Sequence, residues 1–196
     1  MQTNAACDAP YAILPMEQVP PLVVDLDGTL TPTDTLVEMV IRVIKQSPLT
    51  MFFLPIWLLR GIAYFKARVA GATSFSAPDL PYRDEFVQFL TEQKAGGRRL
   101  VLATAAHESI GHAVAAHLRL FDQVIGSNST CNLKGKRKLA AIREQIGDVF
   151  VYAGDSNADL PIWRVAHAAV LVNMSNGLFK LVKQSVPIER SFSAVK

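Results

Sequence analysis

The chain contains few cysteines, which excludes two common classes of small domain. Its 196 residues include only Cys7 and Cys131, which lie far apart and form no CxxC pair. A disulfide framework and a zinc site are therefore not expected, because both need cysteines at short, regular spacings. So few and so widely spaced cysteines are typical of proteins in a reducing compartment, and we therefore expect a cytoplasmic protein.

Signals for export and for membrane spanning are also lacking. The first twenty residues contain no Lys or Arg and no continuous apolar run, so no secretory signal peptide is expected. Prolines between residues 10 and 21 disfavour a helix, and residues 1–20 are predicted to form a flexible N-terminal arm. The most apolar stretch, residues 51–65, is shorter than the roughly 20 residues that span a bilayer.

The chain carries no strong charge of one sign. Its formal net charge is +3 and its basic residues are not gathered into a tail, so nucleic acid is not an expected partner. Half of the residues are apolar and 19% are charged, which is the ordinary balance of a globular protein. A chain of this length can form one well-packed domain with a modest insertion.

From residue 22 onward, short apolar runs alternate with amphipathic segments. The runs rich in Val, Ile and Leu are predicted strands: 22–26, 100–104, 121–125, 150–153 and 169–172. The amphipathic segments are predicted helices: 83–94, 109–118, 135–146 and 158–165. This alternation predicts an α/β fold with a Rossmann-like parallel sheet and helices on both faces, in which ligands bind beyond the carboxyl ends of the strands.

One segment interrupts the alternation. About 70 residues separate the first two predicted strands, far more than a single crossover needs. Residues 36–71 are expected to be helical, with breaks near Ser47-Pro48 and Pro55. We therefore predict an inserted all-helical cap at residues 36–79, after the first strand, over a core made of residues 21–35 and 80–196.

An acidic motif, DLDGTL at residues 25–30, emerges from the first predicted strand. Strand alternation directs Asp25 and Asp27 to the same side, and Gly28 permits a sharp turn. Two carboxylates held in this way suit Mg²⁺, which prefers oxygen ligands. An ordinary acidic turn at Asp27 and Gly28 is the alternative interpretation.

A second acidic cluster, GDSNAD at residues 154–159, follows the strand predicted at 150–153. Asp155 is there either a helix cap or a metal ligand. Because the carboxyl ends of parallel strands meet at one edge of a sheet, the two clusters should converge. Their mutual repulsion favours a cation between them.

Two further features suit a phosphate group. Thr104 ends the second predicted strand, where its hydroxyl and the following N–H groups can hold phosphate oxygens; a simple helix cap is equally consistent. Basic side chains cluster before the fourth strand at Lys134, Lys136, Arg137 and Lys138. Cations at a helix start are unfavourable beside the helix dipole unless they face an anion, so we expect one of these lysines to be functional.

In this order the motifs resemble the haloacid dehalogenase (HAD) superfamily, specifically its phosphatase branch. The pattern DxDGT, a strand-end Ser or Thr, a Lys and GDxxxD matches residues 25–29, Thr104, a lysine within 134–138, and residues 154–159. The resemblance covers residues 22–172. It implies a HAD-like core with an insertion after the first strand.

The resemblance also implies a role for each residue. Asp25 is the nucleophile that forms an aspartyl-phosphate, and Asp27 is the acid for the leaving oxygen and later the base for water. Mg²⁺ is held by Asp25, the Asp27 backbone carbonyl and Asp155, while Thr104 and the lysine steady the phosphate oxygens. Since a halide needs no acid, Asp27 favours phosphoryl chemistry. Supporting positions are Gly28, Thr29, Ala105 and Asp159, the last expected to orient the lysine or a metal-bound water.

A more specific likeness is to the phosphatase-type domain that precedes UbiA-type prenyltransferases in some bacterial membrane proteins. Shared stretches are DTL (34–36), LLRG (58–61), LPY (80–82), LVLATA (100–105), NLKG (132–135) and YAGDSNAD (152–159). That group's NLKGxxK pattern implies Lys138 rather than Lys134 as the catalytic lysine. Because the chain stops at Lys196 without a multi-helix membrane domain, we expect a free-standing relative or a severed piece.

Asp34 and His107 are candidate substrate-specificity residues. Asp34 either contacts substrate, as an acidic residue near this point does in phosphoserine phosphatase-like relatives, or caps the helix that follows it. His107 either lines the pocket or caps a helix. A zinc site of the HExxH type is not expected, because His107 and His112 are five residues apart and do not share a helix face.

The predicted cap allows three interpretations. Residues 36–71 contain five basic side chains and one acidic side chain, Glu38, and residues 51–59 are apolar. The segment is a packed cap core with cations at its rim, a lipid-facing element, or a docking site for a membrane prenyltransferase. A lipid-facing element would place the protein peripherally at the inner face of the membrane.

Together these features predict a Mg²⁺-dependent phosphomonoester phosphatase. Its expected substrate is a phosphorylated small molecule or a lipid-linked or prenyl-linked phosphate. One alternative is a small-metabolite phosphatase of the phosphoserine phosphatase type. Another is a regulatory or docking module for a UbiA-type prenyltransferase, against which the complete set of catalytic motifs argues.

Overall fold

The computed structural model describes residues 19–73 and 75–192. The predicted N-terminal arm therefore lies outside the described residues, except for its last two positions. Cys7 lies outside them as well.

In the described part of the chain, six parallel strands form one sheet. They are β1 (Leu22–Val24), β2 (Leu100–His107), β3 (Gln123–Ser127), β4 (Val151–Gly154), β5 (Ala168–Val172) and β6 (Ile188–Phe192). The order β3-β2-β1-β4-β5-β6 places β1 at the centre, between β2 and β4. The chain leaves β1 toward one edge and later returns to its other side, and this change of direction creates a crevice at the carboxyl ends of β1, β2 and β4.

Helices cover both faces of this sheet. They are α1 (Thr35–Gln46), α2 (Leu54–Leu59), α3 (Ile62–Ala72), α4 (Asp84–Ala95), α5 (Glu108–Leu118), α6 (Lys136–Ile146), α7 (Leu160–Trp163) and α8 (Asn176–Lys183). Alternate strand residues face opposite cores: Val24 packs in the core that holds α4 and α5, whereas Val23 packs in the core that holds α6, α7 and α8. The predicted α/β fold class is confirmed.

The insertion between β1 and β2 is helical, as expected. It contains α1, a 3₁₀ helix at Pro48–Phe53, α2 and α3. The break at Ser47-Pro48 is present, and Pro55 marks the boundary at which the 3₁₀ helix ends and α2 begins. It lies in the first turn of α2, where the missing N–H group removes no helical hydrogen bond.

Several secondary-structure details differ from the prediction, and α8 was not predicted at all. β2 continues to His107 instead of ending at Thr104, and the helix expected at 158–165 is a 3₁₀ turn at Asn157–Asp159 followed by the short α7. Strand β6 was not predicted, because its sequence IERSF carries three polar residues. The strand is held at the sheet edge by its pairing with β5 and by Phe192, which packs against Phe86 and Phe89.

None of the helices within the described ranges is long and apolar enough to cross a membrane.

Candidate active site

A cavity of about 310 Å³ lies at the carboxyl ends of β1 and β4. It is also lined by Ala105 and Ala106 of β2 and by the start of α6. The core contributes Asp25, Asp27, Lys138 and Asp159 to its wall, and the insertion contributes Leu36, Ile62 and Lys66. Another cavity, of about 410 Å³, lies beside Tyr82 and Phe192, but no cluster of facing carboxylates lines it among the described residues. The smaller cavity is therefore the candidate site, because it is the one that joins both acidic motifs.

Asp25 lies at the floor of this cavity, directly after β1. Its backbone N–H donates to the Ala153 carbonyl (3.0 Å), which fixes it between β1 and β4. Its Oδ1 accepts hydrogen bonds from the Leu26 N–H (2.8 Å) and from Lys138 Nζ (2.8 Å). Its Oδ2 accepts none from the described residues and so is available to a ligand. Burial raises the pKa of Asp25 to about 7, against the lowering effect of Lys138.

Lys138 projects from the first turn of α6 into a buried polar network. Its Nζ donates to Asp25 and to the Tyr152 hydroxyl (3.2 Å), and lies 3.9 Å from Asp159 Oδ1. The Tyr152 hydroxyl in turn donates to Asp159 Oδ1 (2.8 Å). Burial alone would lower the pKa of Lys138, but Asp25 and Asp159 outweigh it and the pKa is raised. The lysine is therefore charged, and it is Lys138 rather than the exposed Lys134 that reaches Asp25.

Three carboxylates converge beside this lysine. Asp25, Asp155 and Asp159 each offer an oxygen, and the three oxygens lie within 4.8 Å of one another. Burial raises the pKa of Asp155 to about 6, and the charge of Asp159 adds to the rise. Such a set of crowded oxygen donors fits Mg²⁺, whose charge would relieve the repulsion.

Asp159 is less available to a metal than the other two carboxylates. Its Oδ1 accepts from Tyr152, and its Oδ2 accepts from the Ser156 N–H (3.3 Å) and hydroxyl (3.2 Å). Asp155 accepts only one side-chain hydrogen bond from the described residues, from the Thr29 hydroxyl (3.2 Å). The hydrogen bonds thus favour Asp25 and Asp155 as ligands and Asp159 as an orienting residue.

Gly28 allows the two acidic motifs to approach each other. Its φ is +82°, and a Cβ atom at this position would lie 2.6 Å from Asp155 Cγ. Only glycine combines this left-handed backbone with so close a contact. The Gly28 carbonyl also accepts a hydrogen bond from Arg83 Nη2 (3.2 Å), a contact that was not predicted from the sequence.

We predict that Gly28→Ala lowers stability and Mg²⁺ affinity together. Gly97 is the matched control, because its φ is +81° and no atom of the described residues lies within 4 Å of the place that a methyl group would take. Gly97→Ala should lower the free energy of unfolding by about 1 kcal/mol, which is the contribution of the left-handed backbone alone. Gly28→Ala should lower it by at least about 2 kcal/mol. Urea unfolding with and without Mg²⁺ measures both; equal costs would show that Asp155 is not crowded.

Asp27 occupies the cavity wall but not the carboxylate cluster. Its Oδ1 accepts a hydrogen bond from the Thr35 N–H (2.8 Å) at the start of α1. Burial raises its pKa, partly offset by this hydrogen bond. A raised pKa favours the protonated side chain that an acid needs.

Thr104 is placed differently from the expectation. It lies inside β2 rather than at a helix start, is fully buried, and its hydroxyl accepts a hydrogen bond from the Ala106 N–H (2.9 Å). Ala105 and Ala106 line the cavity, whereas Thr104 does not. The strand continues because residues past Thr104 still pair with β3, after a register irregularity between Ala103 and His107.

Asp34 and His107 both cap helices. Asp34 Oδ1 accepts from the Leu36 and Val37 N–H groups (2.9 and 3.2 Å), and Asp34 also lines the cavity, so its two interpretations are compatible. His107 Nδ1 lies 2.9 Å from the Ser109 hydroxyl at the start of α5. His107 is not among the residues that line the cavity.

Lys66 is a site residue that the sequence did not single out. From α3 it reaches across the cavity and donates to the Ala105 carbonyl (2.6 Å) and to Asn132 Oδ1 (2.8 Å). Burial lowers its pKa despite the nearby Asp27 and Asp34. In the sequence it is one of several basic residues of an apolar segment, and only the packing of α3 on β2 turns it inward. Tyr152 was missed for a similar reason, because it reads as a strand residue.

The pKa values predict how stability depends on pH. In the unfolded chain Asp155 has an ordinary pKa near 3.8, and in the folded protein its pKa is about 6. The folded state therefore binds this proton more tightly, so Asp155 lowers stability increasingly as pH rises from about 4 to 6. In metal-free buffer, Asp155→Asn should therefore be more stable than the wild type, by a margin that grows over that pH range. Added Mg²⁺ should stabilise the wild type more at pH 8 than at pH 5. Thermal unfolding measures both; a difference that does not change with pH would contradict the prediction.

With this geometry established, the chain can be assigned to a class. It belongs to the haloacid dehalogenase-like hydrolase family, whose model matches residues 22–164. It is 40% identical over 153 residues to the uncharacterized protein y4nM of Sinorhizobium fredii, a match that covers 78% of this chain and 30% of that protein. The chain therefore spans less than a third of that relative's length.

Solved structures show the same fold. A protein of unknown function from Bordetella pertussis Tohama I matches with a TM-score of 0.66 and 15% identity, over 87% of this chain and 98% of that one. A substrate-bound phosphoserine phosphatase complex matches with a TM-score of 0.59 and 12% identity, over 91% and 95% of the two chains. At these identities the likeness concerns the fold alone.

Proposed function

We propose that the chain is a Mg²⁺-dependent phosphomonoester phosphatase that acts through an aspartyl-phosphate on Asp25. The observation that carries this proposal is the convergence of oxygens of Asp25, Asp155 and Asp159 within 4.8 Å of one another, beside the charged Lys138, at the wall of the cavity that Asp25, Lys138 and Asp159 line. Carboxylates alone would repel a phosphate. A lysine and a cation site beside the nucleophile make an anionic substrate acceptable.

In the proposed first step, a carboxylate oxygen of Asp25 forms a bond to phosphorus as the bond to the leaving oxygen breaks. The leaving oxygen keeps the electron pair and takes the proton of Asp27. In the second step, Asp27 removes a proton from water, the water oxygen bonds to phosphorus, and the bond to Asp25 breaks to release inorganic phosphate. The raised pKa of Asp27 fits an acid that must begin the cycle protonated.

Other residues of the chain would hold the phosphoryl oxygens. Lys138 keeps its charge beside Asp25 and would hold one of these oxygens. The buried Thr104 hydroxyl accepts from the Ala106 N–H and would act indirectly, by fixing the Ala105–Ala106 backbone that lines the cavity. Mg²⁺ held by Asp25, Asp155 and the Asp27 carbonyl would offset the charge between nucleophile and phosphate. Asp159 and Tyr152 would orient Lys138 through the hydrogen bonds described above.

The substrate and the partner form a finer proposal. We propose a lipid-linked or prenyl-linked phosphate as substrate and a UbiA-type prenyltransferase as partner. The shared NLKGxxK pattern supports the link, and so does the greater length of the relative y4nM. A soluble phosphomonoester such as a phosphoserine-type metabolite is the alternative, and the cavity of about 310 Å³ has room for a small head group of either kind.

Hydrolysis assays test the proposal. The purified chain should release phosphate from an aryl phosphate when Mg²⁺ is present, and excess chelator should stop the reaction. A panel of small phosphomonoesters and polyprenyl phosphates, compared by kcat/KM, then separates the two substrate classes. Absence of hydrolysis with every divalent metal would favour a non-catalytic docking module.

A further inference from the structure

The outer side of the insertion exposes an unusual number of large apolar side chains. The 3₁₀ helix Pro48–Phe53 buries none of its residues, and α2 buries only Trp57. Leu59, Leu49 and Phe52 are 89%, 73% and 68% exposed. We call residues 49–62 the outer segment; its exposed large apolar residues are Leu49, Met51, Phe52, Phe53, Ile56, Leu58, Leu59 and Ile62.

This exposure is not that of a cap core. The α1 and α3 residues that bind the insertion to the protein, such as Met39, Val43 and Val69, are buried and belong to the main hydrophobic core. The outer segment packs against α1 and α3 from outside and leaves its own side chains in solvent. Soluble proteins seldom expose so many neighbouring apolar side chains unless the surface binds something.

The charges around the outer segment indicate what it binds. Of the five basic residues at positions 36–71, Arg42 pairs with Asp79 and Lys66 points into the cavity. Lys45, Arg60 and Arg68 are exposed and form no salt bridge with the described residues. Arg60 and Arg68 are held over the rings of Tyr64 and Trp57, at 5.4 and 5.1 Å, beside the segment. An apolar surface bordered by unpaired cations is complementary to an anionic lipid surface.

We infer that the outer segment binds the surface of an anionic lipid bilayer. Its Leu, Met, Ile and Phe side chains enter the headgroup region, while Lys45, Arg60 and Arg68 contact lipid phosphates. The segment contains only two polar side chains, Thr50 and Arg60, so insertion buries few groups that need water.

The same surface adjoins the candidate active site. Ile62 ends the outer segment, is 40% exposed, and also lines the cavity that contains Asp25. A bilayer bound there lies next to the cavity opening, so the phosphate of an amphiphile can reach Asp25 while its tail stays among the lipids. This last step rests on the proposed phosphatase function, whereas membrane binding itself does not.

Vesicle flotation tests the inference without any substrate. Wild-type protein should float with vesicles of phosphatidylcholine and phosphatidylglycerol. The triple variant Leu49→Ser, Phe52→Ser, Leu59→Ser should bind them on the order of 100-fold more weakly. The control variant Val149→Ser, Leu181→Ser removes two exposed apolar residues elsewhere and should bind like the wild type. The inference is overturned if the wild type does not float with the vesicles, or if the control variant loses as much vesicle binding as the triple variant.

Charge and assembly provide two further readouts. Lys45→Gln and Arg60→Gln should each weaken binding to anionic vesicles about fivefold and leave the weaker binding to phosphatidylcholine alone unchanged. If the wild type instead forms a dimer that the triple variant abolishes, and neither protein binds vesicles, the segment contacts a second copy and the inference fails. Hydrolysis of a soluble aryl phosphate by the triple variant should be unchanged, so a failure of membrane binding and a failure of the phosphatase proposal are seen separately.

Discussion

Asp25→Asn should abolish phosphate release, lowering kcat/KM on the order of 10⁴-fold or more. The substitution keeps the shape of the side chain and can keep the hydrogen bonds from Leu26 and Lys138, since the amide oxygen still accepts. It removes the charged oxygen that would bond to phosphorus. The loss should appear in kcat, because no other step of the proposed reaction forms the covalent intermediate.

Asp34→Asn is the matched control for this variant. Asp34 is another carboxylate in the wall of the same cavity, and it contacts the N-terminus of α1 rather than Lys138. The control should keep its kcat within about tenfold of the wild type. Acid quenching during turnover should trap phosphate on the wild-type chain and none on Asp25→Asn. Activity above about 1% in Asp25→Asn, after removal of contaminating phosphatase, would assign the nucleophile to another residue.

Asp25→Asn has a second expected effect, on stability. Burial raises the pKa of Asp25 to about 7, so above that pH its charge is held in an unfavourable environment, which Lys138 relieves in part and a bound cation would relieve further. Catalytic carboxylates of this kind reduce stability in exchange for reactivity. The metal-free variant should therefore be at least as stable as the metal-free wild type at pH 8.

The core of the fold could be predicted from the sequence because the apolar pattern of each central strand matches its place in the buried sheet. Runs such as residues 100–104 are continuously apolar and too short for a buried helix, which is typical of a strand that helices cover on both faces. Strand β6 could not be found in this way, because Glu189 and Arg190 give it no apolar periodicity. Its place depends on contacts distant in sequence, such as the ion pair between Glu189 and Arg98.

The site residues that directly follow the ends of strands could be predicted from the sequence. Asp25 and Asp155 follow neighbouring strands, and parallel pairing alone brings them together. Lys66 was missed because its inward orientation depends on how α3 packs on β2, and Tyr152 was missed because it reads as an ordinary core residue of β4, whose hydroxyl partners Lys138 and Asp159 come from elsewhere in the fold. Lys138 was selected over Lys134 only through a family pattern, and the helical periodicity that buries position 138 emerges once α6 is seen to start at Lys136.

Lys138→Met should cause the second large loss, in both activity and stability. Without the lysine, less of the buried negative charge of Asp25 and Asp159 is offset. Breaking a buried ion pair typically lowers the free energy of unfolding by about 3–5 kcal/mol. The phosphate would also lose a fixed donor, which lowers kcat roughly 10²- to 10³-fold. Kinetics with an aryl phosphate and urea unfolding measure the two losses.

Lys134→Met is the control, because it removes a lysine from the same cavity wall at an exposed position. It should leave stability unchanged and reduce kcat/KM by less than about tenfold. The stability lost in Lys138→Met should be smaller at pH 5 than at pH 8, since Asp25, whose pKa is about 7, is protonated at the lower pH and no longer needs the lysine. Mg²⁺ should restore part of the stability at pH 8, because a cation between the carboxylates replaces the missing charge. A larger activity loss in Lys134→Met than in Lys138→Met would reverse the assignment of the phosphate-binding lysine.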